Sequence, residues 1–109
     1  ISRVRSLTLN STAQAIKAGK GRIVGLSIIN RDTVEIFFRL YNKAAADVNP
    51  ASDVPFDEVR IPVDSQFFLR GADMPWDFDT AISMRCVTGI GDTSTTAPGT
   101  SPKVIVFYK

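Results

Sequence analysis

Residues 22–43, RIVGLSIINRDTVEIFFRLYNK, constrain this chain more than any other stretch. In the second half Val34, Ile36, Phe38 and Leu40 share one parity. Thr33, Glu35, Phe37, Arg39 and Tyr41 fall on the other, and Phe37 is the one wholly apolar side chain among them. Such alternation predicts a strand with one face in a core and one in water. In the first half Val24, Leu26 and Ile28 form a matching apolar set, with Gly25 and Ser27 opposite. A turn at Asn30-Arg31-Asp32 would join the two strands as a hairpin with both apolar rows on one face. Apolar side chains contribute about 1.5–3 kcal/mol each on full burial, and ordering a residue's backbone costs about 1–2 kcal/mol. These rows alone do not offset that loss, so the rest of the chain must supply a second apolar sheet.

The remaining segments read as short strands between turn signals. Residues 2–9 alternate Arg3, Arg5, Leu7 and Leu9 against Val4, Ser6 and Thr8. They are either a first strand or, over residues 1–6, an extended arm lying on a neighbouring molecule. Residues 13–18, AQAIKA, are taken as a strand because Gly19-Lys20-Gly21 then provides a tight turn into the next one. Asn49-Pro50 and Val54-Pro55 make residues 44–55 a loop, of a length usually functional or in contact with a partner. Residues 58–63 place Val59, Ile61 and Val63 on one side, with Pro62 at an edge or bulge. Asp64-Ser65 turns into QFFLR, residues 66–70, where Phe67 and Phe68 cannot both point inward. After an irregular segment with Trp76 and Phe78, residues 81–88 turn Ile82, Met84 and Cys86 inward. Residues 89–102 form a loop whose one core-forming side chain would be Ile90. The closing KVIVFYK is apolar on both parities, which predicts cover on both faces. About eight strands without a convincing helix predict an all-β protein, an antiparallel β-sandwich of jelly-roll type, in one domain spanning residues 1–109.

Composition narrows the function classes. The chain of 109 residues has one cysteine and no histidine, which removes a disulfide framework and the commonest general base and metal ligand. Cys86 has the parity of a buried apolar thiol. A net charge of +2 is too mild for a nucleic-acid binder. No apolar run approaches the ~20 residues of a membrane span, and ISRVRSLTLN lacks a signal-peptide core; the expectation is a soluble protein made inside the cell, with no nucleic-acid or membrane partner.

Few constellations carry chemistry. Gly89-Ile90-Gly91-Asp92 has neither the lysine nor the helix of a phosphate loop and reads as a connection. Asp73, Asp77 and Asp79 have the residue type of a calcium site or a glycosidase pair, without the spacing of an EF-hand; solvated loop acids are the simpler account. Trp76 with Phe78 either plugs the end of the sandwich or offers a sugar-stacking or interface platform. Phe37 and Phe67 are surplus aromatics that fit a protein partner. Arg3, Arg5, Arg22 and Arg39 read as surface charge or as salt bridges to an acidic neighbour. No cofactor or metal is expected.

Several segments carry a family resemblance. AIKAGKGRIVGLSIINRDTVEIFFRLYNKAAA, VRIPVDSQFFL, DFDTAISMRCVTGIGDTSTTAPG and the terminal VIVFYK together resemble a group of small tailed-bacteriophage virion proteins. The shared features are a glycine-rich turn before a strand ending at Asn30, the Phe37-to-Ala44 run and a late strand ending in Val87-Thr88-Gly89. The Asp92-to-Thr96 loop and the closing aromatic-Tyr-Lys complete them. The resemblance covers residues 15–109 and implies a non-enzymatic jelly-roll protein similar to capsid decoration (cement) proteins. It would act on the virion surface after synthesis in the host bacterial cytoplasm, partnered by the major capsid protein and by itself as a dimer or trimer. Its contacts are then expected at Ile1, Arg3 and Arg5, at Asn49 and Phe56 in the long loop, and at Phe37, Phe67 and Trp76. The alternative within the same resemblance is a receptor- or glycan-binding domain of a head or tail fibre, using Trp76 and the Thr93–Thr96 loop.

Overall fold

Alternating apolar rows broken by Gly, Pro, Asn and Asp leave no segment of helical period, and the chain builds strands. The computed structural model describes residues 2–70, 76–91 and 93–109. It contains β1 (Ser2–Ser6), β2 (Gln14–Lys17), β3 (Gly21–Ile29), β4 (Ile36–Tyr41), β5 (Asp57–Ile61), β6 (Gln66–Arg70), β7 (Asp77–Phe78), β8 (Ile82–Val87) and β9 (Lys103–Tyr108). A 3-10 turn, Ala45–Asp47, interrupts the long loop. One sheet has the order β1-β9-β3-β6, with β7 added to the start of β3; the other has the order β2-β8-β4-β5. All pairings are antiparallel, and they nest: β1 with β9, β2 with β8, β3 with β6, β4 with β5. That nesting, alternating between two sheets, is the jelly roll expected from the strand pattern, with nine strands in place of eight.

The core lies between the sheets. Ile23, Leu26 and Ile28 of β3 and Val104 and Val106 of β9 meet Ile36, Phe38 and Leu40 of β4 and Ile82, Met84 and Cys86 of β8, all buried. Cys86 is a free thiol; burial first, and the Asp32 carboxylate second, push its pKa up to about 12.

The expected hairpin in residues 22–43 does not form. β3 and β4 belong to different sheets, so residues 30–35 are a crossover. Two apolar rows can share one core by facing each other as well as by lying side by side, and alternation does not distinguish these. Asn30 anchors the crossover: its amide nitrogen lies 2.9 Å from the Val34 carbonyl, 3.1 Å from that of Ile61 and 3.1 Å from that of Pro62. A register shift between Ile23 and Gly25 also changes parity within β3, so Ile23 is buried and Val24 is half-buried. The bulge inserts one residue and re-aims those before it.

Other departures are local. Val34 and Val63 lie outside the ends of β4 and β5 and are exposed. Ile90, expected in the core, is 75% exposed, while Pro98 of the same loop is buried. Residues 2–6 are an edge strand registered against β9 over five positions, from Ser2 opposite Tyr108 to Ser6 opposite Val104. Val4 packs on the core, so this segment is part of the sheet and not an arm.

Candidate partner-binding face

A two-sheet sandwich has two outer faces, and here they differ. On the β2-β8-β4-β5 sheet, Phe37, Arg39 and Tyr41 of β4 stand opposite Val87, Arg85 and Ser83 of β8, and every one of them is buried. Like charges directly opposite are normally destabilising, yet Arg39 and Arg85 are both 0% exposed. Each guanidinium is instead satisfied by different groups. Arg39 donates to the Glu58 carboxylate at 2.6 Å and to the carbonyls of Gly89 and Ile90 at 3.0 and 3.2 Å. Arg85 donates to the Tyr41 hydroxyl at 2.6 Å and to the Ser94 carbonyl at 2.7 Å, with the Pro50 carbonyl at 3.5 Å. The planar fork of arginine, with its five donors, suits such multiple anchoring. The loops carrying Pro50 and Gly89, Ile90 and Ser94 are thus drawn over the face. A side chain at Gly89 would place its Cβ 2.2 Å from Ser94 Oγ, so the close approach needs glycine there.

The outer face of the β1-β9-β3-β6 sheet is open. Cross-strand register gives its rows: Arg5, Ile105, Ser27 and Phe68; then Arg3, Phe107, Gly25 and position 70; then Lys103, Ile29 and Gln66. Arg3 and Arg5 are exposed, Ile29, Ile105 and Phe107 are half-buried, and Phe68 is 53% exposed. None of the four strands contains an Asp or Glu. The result is an apolar stripe bordered by positive charge, matched to an apolar surface with an acidic rim.

No family model, curated protein or solved structure matches this chain.

The residues expected at contacts do not form one site. Arg3 and Arg5 lie on the open face, and Phe67 points from the same sheet inward, half-buried against the core. Phe37, expected on a wet face, is 2% exposed because the loops cover it; it carries no surface contact. Trp76 is 5% exposed and donates its indole N–H to the Asp57 carboxylate, which makes it a plug and removes it as a stacking platform. Phe56 is exposed, its ring 4.5 Å from that of Phe78. Asn49 is exposed and organises its own loop, accepting from Ala51 N–H at 3.1 Å. Ile1, Asp73 and Asp92 lie outside the described residues.

Phe68 completes the face as the outward member of the Phe67-Phe68 pair; Ile105, Phe107 and Lys103 complete it too, and the sequence reading does not single them out. The signal is the doubly apolar VIVFY, which predicts cover on both sides, whereas Ile105 and Phe107 on the outer side are half-buried. In a two-layer sandwich only one side of a strand meets the core, so the second apolar row marks a surface.

Two clefts are lined by other residues. One of about 330 Å³ is lined by Lys20, Gly21, Arg22, Asp77, Asp79 and Lys109 among others, and Asp77 there sits 3.4 Å from Arg22. The second, about 350 Å³, lies beside Tyr41, Lys43, Asp53 and Phe56. In it the Asn49 N–H and the Lys43 ammonium hold the Asp53 carboxyl below its usual pKa. Among the described residues no group of three or more His, Cys, Asp or Glu side chains is placed to hold a metal ion.

Proposed function

We propose that this chain is a capsid decoration (cement) protein that seats its β1-β9-β3-β6 face on the outer surface of a major capsid protein and stabilises contacts between neighbouring subunits. One observation carries the proposal: loops anchored by two buried arginines seal one outer face, while the other presents Ile29, Ile105, Phe107 and Phe68 beside Arg3, Arg5 and Lys103. The resemblance of residues 15–109 to phage virion proteins supports the same reading, with a major capsid protein as the proposed acceptor. Fold alone does not assign a function; a face whose strands β1, β9, β3 and β6 carry Arg3, Arg5 and Lys103 and no Asp or Glu does favour adhesion to an acidic protein surface. The work is then non-enzymatic, and each bound copy adds its binding free energy to the shell by mass action.

The test is capsid occupancy. The Arg3→Glu/Arg5→Glu double variant, changed at exposed positions, should fold normally and lose binding to purified capsids, and wild-type binding should weaken with rising salt. Quantitation against the major capsid protein in virions should give near-stoichiometric copies. Full occupancy by the double variant, or only a few copies per virion, would overturn the proposal, the second outcome favouring a fibre component.

A further inference from the structure

The cleft beside Tyr41 is lined by Tyr41, Asn42, Lys43, Asp53, Val54 and Phe56, from the end of β4 and the long loop after it. Its groups are fixed by other parts of the chain. The Phe56 N–H donates to the Leu40 carbonyl at 2.7 Å, and the Phe56 ring leans on that of the buried Phe78. Trp76 supports this wall from the next residue, donating its indole N–H to Asp57. Phe56 itself stays 43% exposed. The Asn42 carboxamide oxygen accepts from the Thr80 N–H at 2.9 Å. That bond identifies the oxygen, and the NH2 group beside it, with two donors, has no partner among the described residues. The Asp53 carboxylate accepts from the Asn49 N–H at 2.8 Å and from the Lys43 ammonium at 3.0 Å. Both bonds favour its charged form, so at neutral pH it is an acceptor only. Lys43 spends one of its three donors on it.

We infer that this cleft binds a neutral pyranose unit of a glycan, its C–H face against Phe56 and its hydroxyls between Asn42, Lys43 and Asp53. A hydroxyl accepts from an amide or ammonium while donating to a carboxylate, so neighbouring hydroxyls of one ring satisfy all three groups. Other ligand classes fit worse. A ligand carboxylate attracted by Lys43 is repelled by Asp53, and a ligand ammonium meets the reverse. A wholly apolar group would desolvate the three polar side chains without giving them partners. The volume of about 350 Å³ lies near the small end of the roughly 300–1,000 Å³ range of ligand pockets, which suits a sugar ring. Because the wall and the polar groups are already held in place, little ordering is needed on binding. None of the lining residues belongs to β1, β9, β3 or β6, so sugar binding here is independent of capsid attachment.

The experiment is an NMR titration of the isotope-labelled chain with methyl glucoside, methyl galactoside, methyl mannoside and N-acetylglucosamine, each to tens of millimolar. Sodium glucuronate serves as the charged counterpart. At least one neutral sugar should shift the amide signals of residues 41–43 and 53–56, and glucuronate should bind more weakly than that sugar. Phe56→Ala, which removes the wall, should weaken binding by about tenfold, the size of one lost favourable contact. Asn42→Asp keeps an oxygen for the Thr80 N–H, and with it the local fold, but has no NH2 group; it should weaken binding by a similar factor. No shift at the cleft with any of the four sugars, or undiminished binding by either variant, would overturn the inference. Tighter binding of glucuronate would also overturn it and make the cleft an anion site. Because no capsid is present, each of these failures would leave the capsid-binding proposal standing.

Discussion

At the scale of single residues, the two buried arginines set the character of the molecule. Arg39 and Arg85 stand where the alternating pattern calls for exposed polar side chains, and their hydrogen-bond groups tie two loops to the β4-β8 surface. Removing one member of a buried ionic set leaves its partners desolvated and unpaired, typically at a cost of about 3–5 kcal/mol. Arg39→Ala, which strands the Gly89 and Ile90 carbonyls, should lower the urea unfolding free energy by about that amount. Arg39→Lys should recover little of it, since an ammonium cannot reproduce the fork. Cys86 makes a different residue-scale prediction. Burial raises its folded pKa to about 12 from the ordinary thiol value of 9.0, so the native state keeps a proton that the unfolded chain releases. Its contribution is complete below the unfolded pKa and is lost as pH rises towards the folded one, with a slope of about 1.4 kcal/mol per pH unit. Unfolding free energies measured from about pH 8 to pH 11 should fall more steeply for wild type than for Cys86→Ala. The thiol should also resist alkylating reagents until the protein unfolds.

At the scale of elements, the crossover and the first strand are the sensitive parts. The Asn30 side chain connects the end of β3 with the segment after β5 through the Val34, Ile61 and Pro62 carbonyls, and its carboxamide oxygen accepts from Asp32 N–H at 2.9 Å. Asn30→Ala should cost on the order of 3 kcal/mol, the size expected when several buried backbone groups lose a partner together. Asn30→Asp should be no rescue, because a carboxylate cannot donate to three carbonyls. β1 holds one edge of the open sheet by five cross-strand positions and by Val4 against the core. Deleting residues 1–6 should therefore lower the thermal midpoint as well as remove Arg3 and Arg5. A deletion that left the midpoint unchanged would restore the reading of this segment as a detachable arm.

At the scale of the whole molecule, nested pairing joins the two ends of the chain: Ser2 stands opposite Tyr108 and β2 opposite β8. Contacts so distant in sequence require loop closure before they stabilise anything, and all-β proteins of this kind fold in milliseconds to seconds. Stopped-flow refolding should fall in that range, and a microsecond phase carrying the full amplitude would contradict the topology.

Local chemistry decided which segments became strands, because alternation and turn residues act over a few positions. It placed residues 14–17, 66–70 and 82–87 in strands, turned Ile82, Met84 and Cys86 inward, and forced one of Phe67 and Phe68 outward. It could not decide which strands are neighbours. Residues 22–43 have the same pattern whether their strands lie side by side or face each other across a core, and only the β3-β9 and β4-β8 pairings separate these. Nor could it decide which outer face is wet. Phe37, Arg39 and Tyr41 are buried because loops remote in sequence lie over them, whereas the second apolar row of β9 stays partly open to solvent. Burial of an outward side chain depends on what covers it, and that cover is a property of the assembled sandwich.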